Sequence, residues 1–93
     1  MRRIERTTDF RRDFKREKAG RHRRVLDALV MGAVTLLADD KPLPPANEDH
    51  PLTGDWKDHR DCHLKPDLVL IYRKPSAEVL QLVRLGSHSE LFG

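Results

Sequence analysis

A single cysteine, Cys62, stands in the 93 residues, so no disulfide forms within the chain, as expected of a reducing compartment. No apolar run approaches the roughly 20 residues of a membrane span. The opening Met1-Arg2-Arg3-Ile4-Glu5-Arg6 has no apolar stretch behind its charges, so neither an anchor nor a signal peptide is expected. No C-x-x-C pair occurs, and Cys62 is followed at once by His63. Along a strand those two side chains leave opposite faces, so no metal and no other cofactor is expected. Aromatics are few, three Phe, one Trp and one Tyr, which leaves the core to aliphatic side chains. What remains is one small cytoplasmic domain over residues 1–93.

Charge is abundant but unevenly placed. Residues 1–24 carry eleven Arg/Lys against four Asp/Glu, a net of +7; residues 25–93 carry seven against eleven, a net of −4. Such a split points to an anionic partner, nucleic acid or an acidic protein, near the first half. The competing reading is a solvated helix face whose acids, Glu5, Asp9, Asp13 and Glu17, pair with their basic neighbours.

The elements follow from pattern. Arg2 to Thr7 reads as a short edge strand. Thr7, Thr8 and Asp9 offer helix N-caps, Phe10 and Phe14 share one helix face, and Gly20 closes that helix. A second helix is predicted from about His22 to Ala38, where Leu26, Leu29, Val30, Ala33 and Leu37 make a buried stripe. The Pro42-Leu43-Pro44-Pro45 segment stops it and serves as a stiff connector. Trp56 to Leu64 alternates as a strand, Leu68 to Tyr72 is apolar on both faces like a central strand, and Val79 to Leu85 is a third. The order β-α-α-β-β-β predicts an α+β fold, two helices packed on a small antiparallel sheet.

Between Asp49 and Asp67 lies a polar stretch with His50, His59 and His63, four further acids, and the only Trp and Cys. Strand direction brings His63 and Asp67 to one sheet end, and His88 returns to that end after the last strand. His50 needs only a turn to reach the same surface. Cleavage of RNA by its own 2′-hydroxyl requires a base, an acid, and positive charge at the phosphate. Histidine takes either proton role near neutral pH, and a nearby carboxylate fixes its tautomer. Arg84 is a candidate to brace the phosphate, and Phe92 to stack on a base. The bland counterparts are strand residues for His59 and Cys62, and turn caps for Asp61 and Asp67.

Several motifs occur in fixed order: Leu43-Pro44-Pro45; Asp49-His50-Pro51-Leu52 with Gly54 and Trp56; Arg60-Asp61-Cys62-His63-Leu64-Lys65-Pro66-Asp67; Arg84-Leu85-Gly86-Ser87-His88; and Leu91-Phe92-Gly93. Together they resemble the YafQ branch of the RelE/ParE toxin superfamily, from about residue 42 to the end. The resemblance implies a RelE-like fold and a type II toxin, a metal-independent endoribonuclease that cuts mRNA in the ribosomal A site. It implies catalytic roles for His50, His63, Asp67 and His88. Phe92 matches the family's C-terminal aromatic, and Asp61 and Arg84 line the same surface. It further implies an acidic antitoxin, the 70S ribosome and mRNA as partners, with operator DNA reached only through the antitoxin complex. Where the family often has Trp after the aspartate, this chain has Leu68. The alternative within the fold is a ParE-like toxin that poisons gyrase without cutting RNA.

Overall fold

The structure, a computed structural model, describes every residue from Met1 to Gly93. In chain order the elements are β1 (Arg3–Arg6), α1 (Thr8–Lys18), α2 (Leu26–Ala38), β2 (His50–Pro51), β3 (Arg60–Lys65), β4 (Leu68–Ser76), β5 (Val79–Gly86) and α3 (His88–Phe92). Single turns of 3-10 helix occupy Pro45–Asn47 and Gly54–Trp56. The five strands form one sheet in the order β1-β5-β4-β3-β2. The predicted α+β class holds, with three differences of detail: the sheet is mixed, because β1 runs parallel to β5; β2 adds a fifth strand; and the tail folds into α3.

Alternation along the strands divides the core. Cys62, Leu64, Leu70, Tyr72, Leu80 and Leu82 join Phe10, Leu26, Val34 and Leu37 in the main cluster between helices and sheet. Burial pushes the Cys62 thiol up to about 12, so it packs as a small neutral hydrophobe. On the opposite face Val69, Ile71 and Leu91 form a second, smaller cluster with Leu52, Trp56, Val83 and Phe92 against it. β4 is therefore covered on both sides, as its unbroken apolar run predicts.

Local chemistry sets the boundaries. Thr7 Oγ1 accepts the Phe10 N–H at 3.0 Å and starts α1. The Phe10 and Phe14 rings sit 6.0 Å apart in the core. α2 begins at Leu26, four residues later than the pattern predicts, and has no side-chain cap at Val25. Arg21, Arg23 and Arg24 explain the delay, since cations oppose the positive end of a helix dipole. β3 starts at Arg60, not at Trp56. Gly54 (φ 67°) and Asp58 (φ 72°) take left-handed backbone, which breaks an extended run. Residues 53–58 instead form a loop that the Leu52 N–H closes on the His59 carbonyl at 2.9 Å.

β1 pairs with β5 only as far as Leu82. Beyond it, α1 supplies the missing partners. Asp13 accepts the Leu85 N–H at 3.0 Å, and Arg16 donates to the Leu85 carbonyl at 2.8 Å. An exposed strand edge is thus sealed by side chains. Gly86 makes room for this arrangement, since a Cβ there would lie 2.7 Å from the Arg16 guanidinium.

Candidate active site

Two rows of paired residues organise the site. His50, Asp61, Ile71 and Arg84 face one another across β2, β3, β4 and β5, and the next row on the same face is His63, Val69 and Gly86. Asp61 and His63 are two apart on β3, so both project to the face of the smaller cluster. Gly86 ends β5 in the row of His63, one strand removed across Val69, and two residues later His88 opens α3. Ser87 caps that helix reciprocally with Glu90: Ser87 Oγ accepts the Glu90 N–H and the Glu90 carboxylate accepts the Ser87 N–H.

These elements enclose an open cleft of about 320 Å³ lined by His50, Leu52, Thr53, Trp56, Asp61, His63, His88 and Phe92. Five of the residues singled out from sequence thus meet: His50, Asp61, His63, His88 and Phe92. Asp61 lies at their centre with 2% of its surface exposed. Burial raises its carboxyl above the ordinary range, opposed by attraction to His50, His63 and His88 in that order. His50 Nδ1 lies 3.0 Å from Asp61 Oδ1 and 2.7 Å from the Glu48 carbonyl oxygen. The contact with Asp61 is close but not aligned as a hydrogen bond; the aligned hydrogen bond goes to Glu48, so Asp61 Oδ1 is left without one. Both neighbours of Nδ1 accept protons, which assigns the proton to Nδ1 and leaves Nε2 with a free lone pair. His63 Nδ1 is likewise buried without a hydrogen bond, and unsatisfied buried polar atoms concentrate where function requires them.

An aromatic wall closes one side. Trp56 meets Phe92 edge to face at 6.3 Å, and Phe92 packs against His88 at 4.7 Å. Sequence reasoning missed Trp56, Leu52 and Thr53 as lining residues because it placed Trp56 in a strand. A lone Trp amid Gly, Asp and Lys was the available signal. His59, expected mid-strand and remote from the site, instead sits in the loop with its ring 5.2 Å from Trp56.

Two predicted site residues are not brought into the cleft. Asp67 lies in the β3–β4 turn, where His22 Nε2 is 2.8 Å from one carboxylate oxygen and the Arg21 guanidinium 2.9 Å from the other. The His22 hydrogen bond, more than the charge of Arg21, holds this carboxyl below its ordinary value. Arg84 turns toward the sheet edge, where its Nε donates to Asp13 at 2.6 Å. The fully buried Asp13 draws it away, because a charge out of water needs a close counter-ion. Leu68 is wholly buried in the main core, so it offers no stacking surface.

Residues 2–93 match a family described as bacterial toxin of type II toxin–antitoxin system, YafQ. The chain belongs to the YafQ family. It is 37% identical over 90 residues to an mRNA interferase toxin YafQ of Escherichia coli B/BL21-DE3, covering 97% of this chain and 95% of the relative. To the protein of that name from strain K12 it is 48% identical over 61 residues, 64% of this chain and 65% of the relative. The crystal structure of YafQ from E. coli BL21(DE3) superposes with a TM-score of 0.86 at 35% identity over the full length of both chains. An E. coli DinJ–YafQ complex gives 0.83 at 36% identity, again over both full chains. The mixed sheet with its three helices is thus the architecture of YafQ, a RelE-like fold.

Proposed function

We propose that this chain is an mRNA interferase that cuts mRNA in the A site of the ribosome and so halts translation. The observation that carries the reading is the gathering of His50, His63 and His88 around buried Asp61 in one open cleft. His50 takes the 2′-hydroxyl proton on Nε2 and the 2′-oxygen closes on phosphorus. The P–O5′ bond breaks, and His63 or His88 protonates the departing 5′-oxygen. The products are a 2′,3′-cyclic phosphate and a 5′-hydroxyl. No Lys or Arg lines the cleft, so protonated histidines supply the positive charge that the phosphate needs from the protein. Phe92 offers its ring to a base. Asp67 contributes from outside, by fixing the turn that follows His63 against Arg21 and His22.

The names of the relatives support this reading, since E. coli YafQ is called an mRNA interferase and is found with DinJ. By the same likeness the chain pairs with an acidic antitoxin, which its basic first segment favours. It acts in the cytoplasm, where ribosomes are; no helix is long and apolar enough to cross a membrane. Gyrase poisoning is the less favoured reading, as it gives three clustered histidines nothing to do. The test is a ribosome programmed with mRNA whose A-site codon carries single 2′-deoxy substitutions, treated with protein stripped of metal by chelation. Cleavage should occur on the all-ribose message, leave a cyclic or 3′-phosphate end, and stop when the attacking hydroxyl is removed. Cutting that survives every 2′-deoxy substitution overturns the mechanism.

A further inference from the structure

His50 is an exposed part of the proposed machinery, with half of its side chain open to solvent, on a strand of two residues at the edge of the sheet. Little packing holds the ring there, yet the residues just before it are tied down one after another. Asn47 donates to the His63 carbonyl at 2.7 Å. Glu48 adopts left-handed backbone (φ 47°), uncommon for a residue with a Cβ, and its carbonyl is the acceptor for His50 Nδ1. Asp49 accepts two hydrogen bonds on Oδ1, from the Tyr72 hydroxyl at 2.6 Å and from Arg60 Nε at 3.2 Å.

Tyr72 is the unexpected member. It lies on the central strand with 1% of its surface exposed and its ring in the main core. Its hydroxyl reaches past β3 to the loop that carries His50. We infer that Asp49 and Tyr72 are positioning residues for His50, coupling the rigid centre of the sheet to the tautomer of the ring. This inference rests on the reading of His50 as proton acceptor. The logic is geometric. Fixing Asp49 fixes the peptide of Glu48 in its left-handed conformation, which aims the carbonyl at Nδ1. That bond keeps the proton on Nδ1 and Nε2 free. With the loop released the ring also loses its place against Asp61, and a neutral histidine reverts toward the Nε2–H form, which cannot accept the 2′-hydroxyl proton on Nε2. Burial, and secondarily Asp49, pushes the Tyr72 phenol upward, so it remains a donor throughout the working range.

The experiment pairs long-range proton–nitrogen correlation spectra of the histidine rings with single-turnover cleavage on programmed ribosomes, for wild type, Tyr72→Phe and Asp49→Ala. Wild-type His50 should show the Nδ1–H pattern. Both variants should average toward Nε2–H, with His88 unchanged as the internal reference. Cleavage should fall about 10- to 100-fold while ribosome affinity changes less than about threefold, as expected when a reacting group is misplaced without losing substrate contacts. Should Tyr72→Phe fold poorly, Asp49→Ala, in a partly exposed loop, gives the same reading. A His50 ring that keeps its Nδ1–H pattern in the folded variants overturns the inference, however much cleavage falls. A shifted tautomer with full-speed cleavage would uphold the positioning and overturn the role of His50 as base.

Discussion

The guanidinium of Arg84 donates to the buried carboxylate of Asp13 from 71 residues away, at 2.6 Å through Nε. The same carboxylate accepts the Leu85 N–H and contacts Arg16 at 3.1 Å. Burial alone would raise the Asp13 carboxyl, but the hydrogen bonds from Arg84 and Leu85 outweigh it and leave it below the ordinary value. Asp13→Ala leaves Arg84 and the Leu85 N–H without their partner, and should cost about 3–5 kcal/mol of stability, the range for breaking a buried pair. Arg84→Ala should lower cleavage only as far as it lowers the folded fraction. Chemical denaturation alongside cleavage per folded molecule checks both.

Asp61 is displaced in the other direction. Its folded carboxyl is raised by burial, so the ionised form opposes folding in full above the raised folded value, and this opposition fades as pH falls from there to the unfolded carboxyl value. Asp61→Asn should therefore raise Tm at neutral pH, with the gain shrinking in acid, while weakening cleavage by removing the charge the three histidines share. Melting curves across pH 3–8 (roughly the range bracketing ordinary carboxyl and imidazole titration) carry the test. A lower Tm at neutral pH contradicts it.

The Asp67 clamp gives a titration. The His22 hydrogen bond is the largest influence holding that carboxyl down, so His22→Ala should return it toward its ordinary value, as read from the carboxyl carbon chemical shift against pH. Alternative partners for Asp67 in the free protein would show as an unchanged titration.

Partner binding separates the cations of the first segment. Arg12 and Arg16 are engaged with Asp9, Asp13, Glu17 and Glu90, whereas Arg11, Lys15, Arg23 and Arg24 make no salt bridge. Reversing these four to Glu should weaken binding to ribosomes, antitoxin or both, most strongly at low salt, where screening is least. Unaltered affinity for both at low salt would make this charge a solvated face.

Much of this architecture is legible in the chain. The apolar run Leu68–Tyr72, the stripe on α2 and the Phe10/Phe14 pair each report burial, which periodicity reveals. The meeting of His63 and His88 follows from strand direction alone. β2 was not legible, since two residues, one of them proline, carry no period. Nor was α3, whose five residues are recognisable mainly by their Ser87–Glu90 capping box. The misplacement of Trp56 and His59 came from alternation continuing through Asp58, whose left-handed backbone ends the strand where no glycine warns of it. Arg84 misled for a different reason. Its place in the row of His50 and Asp61 is as register predicts, but Asp13 arrives from a helix that no local pattern connects to it.

Single-turnover cleavage of mRNA on programmed ribosomes by His50→Ala, His63→Ala and His88→Ala tests the central claim most directly. Each variant should bind ribosomes as wild type does and cut about 10²–10⁴-fold more slowly, the usual cost of removing a general acid or base. Three folded variants that cut as fast as wild type would contradict the assignment of this cleft as the active site.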